Sequence, residues 1–311
     1  MIRKILKLLG IVLAVLVLGV AATYVISRNS LLDQLESTGR IAQTAAGPVQ
    51  YSLSGNAGPV ILFVHGTPGG FDHTPFFTIA GLEGFRLLTL SRPGYLGTPL
   101  EVGRAPEEQA RAYAALLDEL GIDEVIVWGV SGGGPSAIAF AALYPQRTQA
   151  FVGLEILSQP YSEPLDIPTV MKSDFLSWLG ISLVTRFGDG KAALGMLPHD
   201  EAENIIGSSS GLERVQTWLW SIWPVSQRLA GWRNDSEHFM TMSLPAGQIT
   251  APALILNGTA DEAVDYESAK ELSELIPGAR LYTVEGGNHA MLLSRKDELN
   301  EVITTFLVDA L

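Results

Sequence analysis

An α/β fold built on a mostly parallel central sheet, with helices on both faces and one apolar helix ahead of it, is the class this chain predicts. Two features of the body lead there. Short apolar runs at 59–64, 85–90, 124–128, 151–157, 253–256 and 280–284 alternate with stretches of helical periodicity. Such alternation implies parallel pairing through right-handed crossovers, and it places the turns that follow the strands along one rim of the sheet. The alternation stops between residues 158 and 248, which read as a helical insertion before the last strands.

At the amino terminus Arg3, Lys4 and Lys7 precede residues 8–26, which carry no charge. At about 1.5 Å rise per residue that stretch nearly spans a hydrocarbon core of ~30 Å. Basic residues on the amino side keep that end in the cytoplasm and send the remainder across, and Tyr24 suits an interfacial anchor. Small residues Gly19, Ala21 and Ala22 also permit signal-peptide cleavage. The expected location is therefore a membrane-anchored body on the periplasmic or outer face, or a secreted body if the segment is cut; the length of the apolar core favours the anchor. Residues 1–27 are assigned to the anchor or signal peptide and the polar residues 28–38 to a linker.

Composition narrows the chemistry. The net charge is −13, from 33 acidic and 20 basic residues, so the body repels phosphate backbones and no nucleic-acid partner is expected. Absence of cysteine rules out disulfides, thiolate metal sites and a cysteine nucleophile. The histidines, His65, His73, His199, His238 and His289, lack close-set metal-binding spacing, so neither a metal nor another cofactor is expected.

Residues 40–45 and 49–54 predict a leading antiparallel hairpin. The strand at 59–64 ends in His65-Gly66-Thr67-Pro68-Gly69-Gly70, and the strand at 85–90 ends in Ser91-Arg92-Pro93-Gly94-Tyr95. A helix over 104–120 carries Pro106, Glu107 and Glu108 in its first turn and Ala110, Tyr113, Ala114 and Leu117 on one face. The next strand stops at Gly129-Val130-Ser131-Gly132-Gly133, and an alanine-rich helix follows. In G-x-S-x-G the serine occupies a strained apex while the flanking glycines let strand and helix approach without a Cβ clash. Ser131 would project its hydroxyl above the sheet, and the Gly132 N–H would face negative charge developing beside it.

The insertion, 158–248, divides a core formed by 39–157 and 249–311. It holds Trp178, Trp218, Trp220, Trp223 and Trp232, five of the six tryptophans, and reads as a lid. Any single tryptophan is expected to pack lid on body, and some of the five to line a substrate pocket. Beyond the insertion the strand at 253–256 leads to Gly258-Thr259-Ala260-Asp261, and the strand at 280–284 leads to Gly287-Asn288-His289.

Ser131, Asp261 and His289 thus each follow a strand and would converge on one rim. A serine hydroxyl is a weak nucleophile until a base takes its proton, and an imidazole can serve near neutral pH when a carboxylate fixes its tautomer. Asp261 is the favoured carboxylate, with Glu155 at the end of the preceding strand and nearby Asp265 as alternatives. The Thr67 N–H offers a second oxyanion donor beside that of Gly132, because Pro68 has none.

Taken together, His65-Gly66-Thr67-Pro68-Gly69-Gly70, Gly129-Val130-Ser131-Gly132-Gly133, Gly258-Thr259-Ala260-Asp261 and Gly287-Asn288-His289 resemble the α/β-hydrolase superfamily over residues 39–311. The resemblance implies a catalytic triad with Ser131 as nucleophile and His289 as base oriented by Asp261, a structural His65 holding the oxyanion loop, and a helical cap inserted before the acid-bearing strand. Ser131 stands where haloalkane dehalogenases and epoxide hydrolases carry aspartate, which disfavours both. The expected reaction is cleavage of small to medium carboxylic esters through an acyl-enzyme. A proline-iminopeptidase-like aminopeptidase is the alternative, suggested by the His65–Gly70 loop and Arg92-Pro93-Gly94-Tyr95. It would need a lid carboxylate, among Glu201, Glu203, Asp235 and Glu237, for the substrate ammonium. A non-catalytic ligand sensor on the same fold is the second alternative.

Overall fold

The computed structural model describes residues 2–73, 84–188, 199–208 and 210–311, in two units that divide after Gly39. The first unit is one helix, α1 (Ile2–Thr38), long and apolar enough by length and composition to cross a membrane. It continues through 28–38, where a linker is expected, because residues 28–38 contain no glycine or proline. The Gly39 N–H donates to Leu35 O at 3.0 Å just beyond the last turn.

The second unit carries an eight-stranded sheet. Strands β1 (Arg40–Thr44) and β2 (Gly47–Ser54) form the leading hairpin, with Thr44 opposite Gly47 across a two-residue turn. β3 (Val60–Val64), β4 (Arg86–Leu90), β5 (Val125–Val130), β6 (Thr148–Leu154), β7 (Ala253–Gly258) and β8 (Arg280–Val284) complete it in the order β1-β2-β4-β3-β5-β6-β7-β8. β2 joins β4 antiparallel, and every later pairing is parallel.

Helices α2 (Pro106–Glu119) and α3 (Gly134–Leu143) lie between strands. Among the described residues the insertion contributes α4 (Asp174–Gly188), α5 (His199–Gly207), α6 (Gly211–Ser221) and α7 (Leu229–His238), and no strand; its residues 189–198 and 209 lie outside the description. α8 (Tyr266–Leu275), the short α9 (Met291–Ser294) and α10 (Lys296–Ala310) follow. α10 starts ahead of its apolar periodicity, because its first turn is the charged Lys296-Asp297-Glu298, whose acids suit a helix amino terminus.

Strand alternation sends the apolar side chains into two layers. Leu62, Val64, Val125 and Val127 pack with α2, α3 and α8 residues such as Leu116, Phe140 and Leu272. Ile61, Phe63, Ile126 and Trp128 pack on the other face with Ile303, Phe306 and Leu307 of α10 and with Ile205 and Val215 of the insertion. Register then aligns the rim: Val64 lies opposite Gly129, Val130 opposite Leu154, and Leu154 opposite Leu256. The residue after each strand therefore emerges on the same edge.

Candidate active site

Ser131 follows β5 directly, with φ at +50°. A β-substituted residue rarely adopts this left-handed backbone, so the surroundings must enforce it. A Cβ at Gly133 would collide with the carbonyl oxygens of Val64 and His65, and one at Gly129 would lie 2.7 Å from Ala137 Cβ. Only glycines at these places allow α3 to press against the sheet. The Leu157 N–H donates to Ser131 O at 3.0 Å and ties the elbow to the segment after β6.

The three residues expected to converge do so. Ser131 Oγ lies 3.0 Å from His289 Nε2, and His289 Nδ1 lies 2.8 Å from Asp261 Oδ2. Asp261 Oδ1 accepts the N–H groups of Ala263 and Val264, both at 2.9 Å. A carboxylate can only accept, so in the neutral ring Nδ1 carries the proton and Nε2 is left to accept from the serine hydroxyl. This is an arrangement able to deprotonate Ser131 and stabilise the resulting imidazolium.

Asp265 has a different occupation. Its carboxylate caps α8, accepting the Ser268 N–H at 2.9 Å and the Ser268 hydroxyl at 2.7 Å. Glu155, just after β6 and also at φ +50°, is buried beside the pair. Ligand-type atoms of Glu155, Asp261 and His289 lie within 4.8 Å of one another, a spacing that could take a divalent ion. Binding through Nδ1 would sacrifice its bond to Asp261, so the donor set fits proton handling better.

Burial pushes the Glu155 carboxyl up to about 8; the nearby His289 pulls it down and Asp261 pushes it further up. Burial lowers the His289 imidazolium, but the Glu155 charge and the Asp261 hydrogen bond more than compensate and raise it to about 9. The two groups are linked, since each ionised form stabilises the other. A base works when deprotonated, so removing the Glu155 charge should make His289 available at lower pH. We expect Glu155→Gln to shift the acidic limb of the kcat/KM profile downward, by roughly one pH unit. An unmoved limb in a pH series would separate Glu155 electrostatically from the base.

Thr67 and Gly132, the two expected oxyanion donors, are neighbours: a Cβ on Gly132 would run into the Thr67 hydroxyl. His65 braces the loop from within. The Arg92 N–H donates to His65 Nε2 at 3.0 Å, so Nδ1 holds the proton and donates to Gly66 O at 2.7 Å. Burial and the adjacent Arg92 hold the His65 pKa well below the ordinary histidine range, keeping the ring neutral. His73 is buried beneath the loop, where desolvation lowers it to about 4. His199 and His238 lie in α5 and α7 of the insertion.

Of the four insertion carboxylates considered for a substrate ammonium, the two buried ones, Asp235 and Glu201, are already engaged. Asp235 of α7 is held by the Arg92 guanidinium at 2.6 and 2.9 Å and also accepts from the Thr67 and Tyr95 hydroxyls. Glu201 is buried against Arg295 at 3.3 Å, and Glu203 and Glu237 are exposed. Phe239 is an aromatic residue at the elbow. Phe239 Cζ comes within 3.1 Å of where a Gly132 Cβ would stand. With Leu157, Met242 and Val264, and with Tyr161, Leu165 and Leu244 against them, Phe239 forms an apolar cluster that contains none of the five tryptophans. Trp223 is buried in packing, its Nε1 donating to Asp174 O at 2.8 Å, whereas Trp218 is 38% exposed. The structural involvement of Arg92 and Asp235 was hidden because no local pattern pairs residues so far apart; the one signal was an arginine ending a buried strand, which requires a partner.

A parallel sheet with a serine elbow and an imidazole–carboxylate pair on its rim defines a class of hydrolytic enzymes. Comparison with known proteins agrees. A family model described as alpha/beta hydrolase fold matches residues 59–296. The structure of an alpha/beta hydrolase fold protein from Nakamurella multipartita superposes with a TM-score of 0.76 at 30% identity, covering 86% of this chain and 98% of that one. The uncharacterized hydrolase YcgS of Bacillus subtilis is 27% identical over 272 residues, 84% of this chain and 95% of YcgS. A 2-hydroxy-6-oxononadienedioate/2-hydroxy-6-oxononatrienedioate hydrolase of Dechloromonas aromatica is 24% identical over 286 residues, 83% of this chain and 90% of that enzyme. The chain belongs to the α/β-hydrolase family and is a hydrolase.

Proposed function

We propose that the protein is a serine hydrolase that cleaves carboxylic esters with an apolar group of small to medium size. The observation that carries this reading is the continuous hydrogen-bonded line from Ser131 Oγ through His289 to Asp261. His289 takes the hydroxyl proton as Ser131 attacks the ester carbonyl, and Asp261 stabilises the imidazolium. The oxyanion is received by the backbone N–H groups of Thr67 and Gly132. The proton passes from His289 to the leaving alcohol, giving an acyl-enzyme. A water molecule activated by the same imidazole then releases the acid and restores Ser131. Neither a metal nor another cofactor enters these steps.

The apolar cluster around Phe239 supports an apolar acyl or alcohol group beside the elbow. The engaged state of Asp235 and Glu201 supports an ester over a free-amine peptide substrate. In this reading the insertion is a cap over the rim, and α1 anchors the catalytic body on the periplasmic or outer face of a membrane.

A panel of nitrophenyl esters of increasing acyl length, set against unblocked amino-acid arylamides, tests the reaction. Ester turnover should exceed arylamide turnover by at least about 100-fold, and Phe239→Ala should move the acyl optimum to longer chains. Preference for the arylamides would overturn the ester reading in favour of an aminopeptidase.

A further inference from the structure

Resting on the reading of Thr67 as an oxyanion donor, we infer that Asp235 is a positioning residue that sets the oxyanion hole from the helical insertion. Its carboxylate belongs to α7, yet Oδ2 accepts the Thr67 hydroxyl at 2.5 Å, across 168 residues of sequence. The Thr67 hydroxyl in turn accepts from the Arg92 guanidinium at 2.9 Å, so it has a donor on one side and an acceptor on the other. With both hydrogen-bonding directions taken, the Thr67 side chain is locked in one rotamer above Gly132. The torsion that fixes that rotamer begins at the Cα carrying the oxyanion N–H.

The Arg92–Asp235 pair is almost fully buried, with side chains 1% and 2% exposed. Water cannot replace a missing partner there, so the charge of Asp235 and the orientation of Thr67 are coupled. A second buried arginine, running in the opposite sense, holds the far end of the same loop. Arg228 of the insertion donates to Gly69 O at 2.7 Å and to the Asp72 carboxylate at 2.7 and 3.2 Å. The oxyanion loop is therefore gripped at both ends by residues 228–235. Catalytic competence follows from docking of this part of the insertion, and α7 is a fixed component of the site.

The test uses the full chain and the second-order rate of labelling by a fluorophosphonate, alongside ester kinetics and thermal melting. Thr67→Val removes the hydroxyl while leaving the arginine–aspartate pair, and it should lower both kcat and the labelling rate by about 10- to 100-fold with KM within about twofold. Its melting temperature should stay close to that of the wild type, and Thr67→Ser should recover most of the lost rate. Asp235→Asn, which keeps shape but loses charge, should reproduce the kcat defect. Labelling of Thr67→Val at the wild-type rate overturns the inference. A loss that shows instead as raised KM with a lower melting temperature also overturns it, because that is the signature of an undocked insertion. If the wild type itself is not labelled, the serine-hydrolase reading fails and this inference falls with it.

Discussion

Ser131→Ala is expected to reduce kcat/KM toward the best nitrophenyl ester by about 10⁴-fold or more, because it removes the hydroxyl that His289 Nε2 contacts at the elbow. The backbone at Ser131 is held at φ +50° by the surrounding packing, so the truncation removes one atom and leaves the turn in place. Residual rate should come from the oxyanion donors and substrate binding alone, which survive loss of the nucleophile. Fluorophosphonate should label the wild type and leave Ser131→Ala unlabelled. In fractionated cells the labelled protein should stay with the membrane pellet after a salt wash and be released by detergent, as an apolar anchor requires. Retention of more than about 1% of the activity in a folded Ser131→Ala protein would place the nucleophile elsewhere.

Asp261→Asn should cost about 10³- to 10⁴-fold in kcat, through the imidazole's tautomer. The N–H groups of Ala263 and Val264, each 2.9 Å from Asp261 Oδ1, both require an acceptor. The asparagine oxygen must take that position and its NH₂ must face His289 Nδ1. The ring can then only accept at Nδ1, so its proton moves to Nε2, where it faces the Ser131 hydroxyl and cannot remove its hydrogen. Glu155→Gln should lower kcat by less than about tenfold, since Glu155 influences the base by charge. Paired kinetics on the two variants decide which carboxylate is the acid. A Glu155→Gln protein more impaired than Asp261→Asn would transfer that role to Glu155.

Much of the scaffold could be read residue by residue from the chain. The apolar runs of β3, β4, β5, β7 and β8 are bounded by turn residues within a few positions of where the strands stop. Strand and turn chemistry depends on near neighbours, and it also implied that the segments after β5, β7 and β8 share an edge. That edge brings Ser131, Asp261 and His289 within hydrogen-bonding distance. Competition between Asp261, Asp265 and Glu155 was less legible, because all three follow strand ends and differ in what surrounds them. Asp265 is absorbed by a helix cap, Glu155 by an apolar enclosure that raises its pKa, and Asp261 by two backbone amides and an imidazole.

Periodicity and turn composition were enough to establish a parallel α/β body behind an apolar helix, and to nominate a serine, a histidine and a carboxylate for one rim. They could not show that Asp235 belongs to Arg92 and Thr67, that Phe239 stands beside Gly132, or that His73 is buried. Those outcomes depend on how a long insertion closes onto the sheet, bringing together partners more than 100 residues apart. Buried charges pair with whatever complementary group the closed chain delivers, and that pairing leaves no periodic trace in the neighbouring residues.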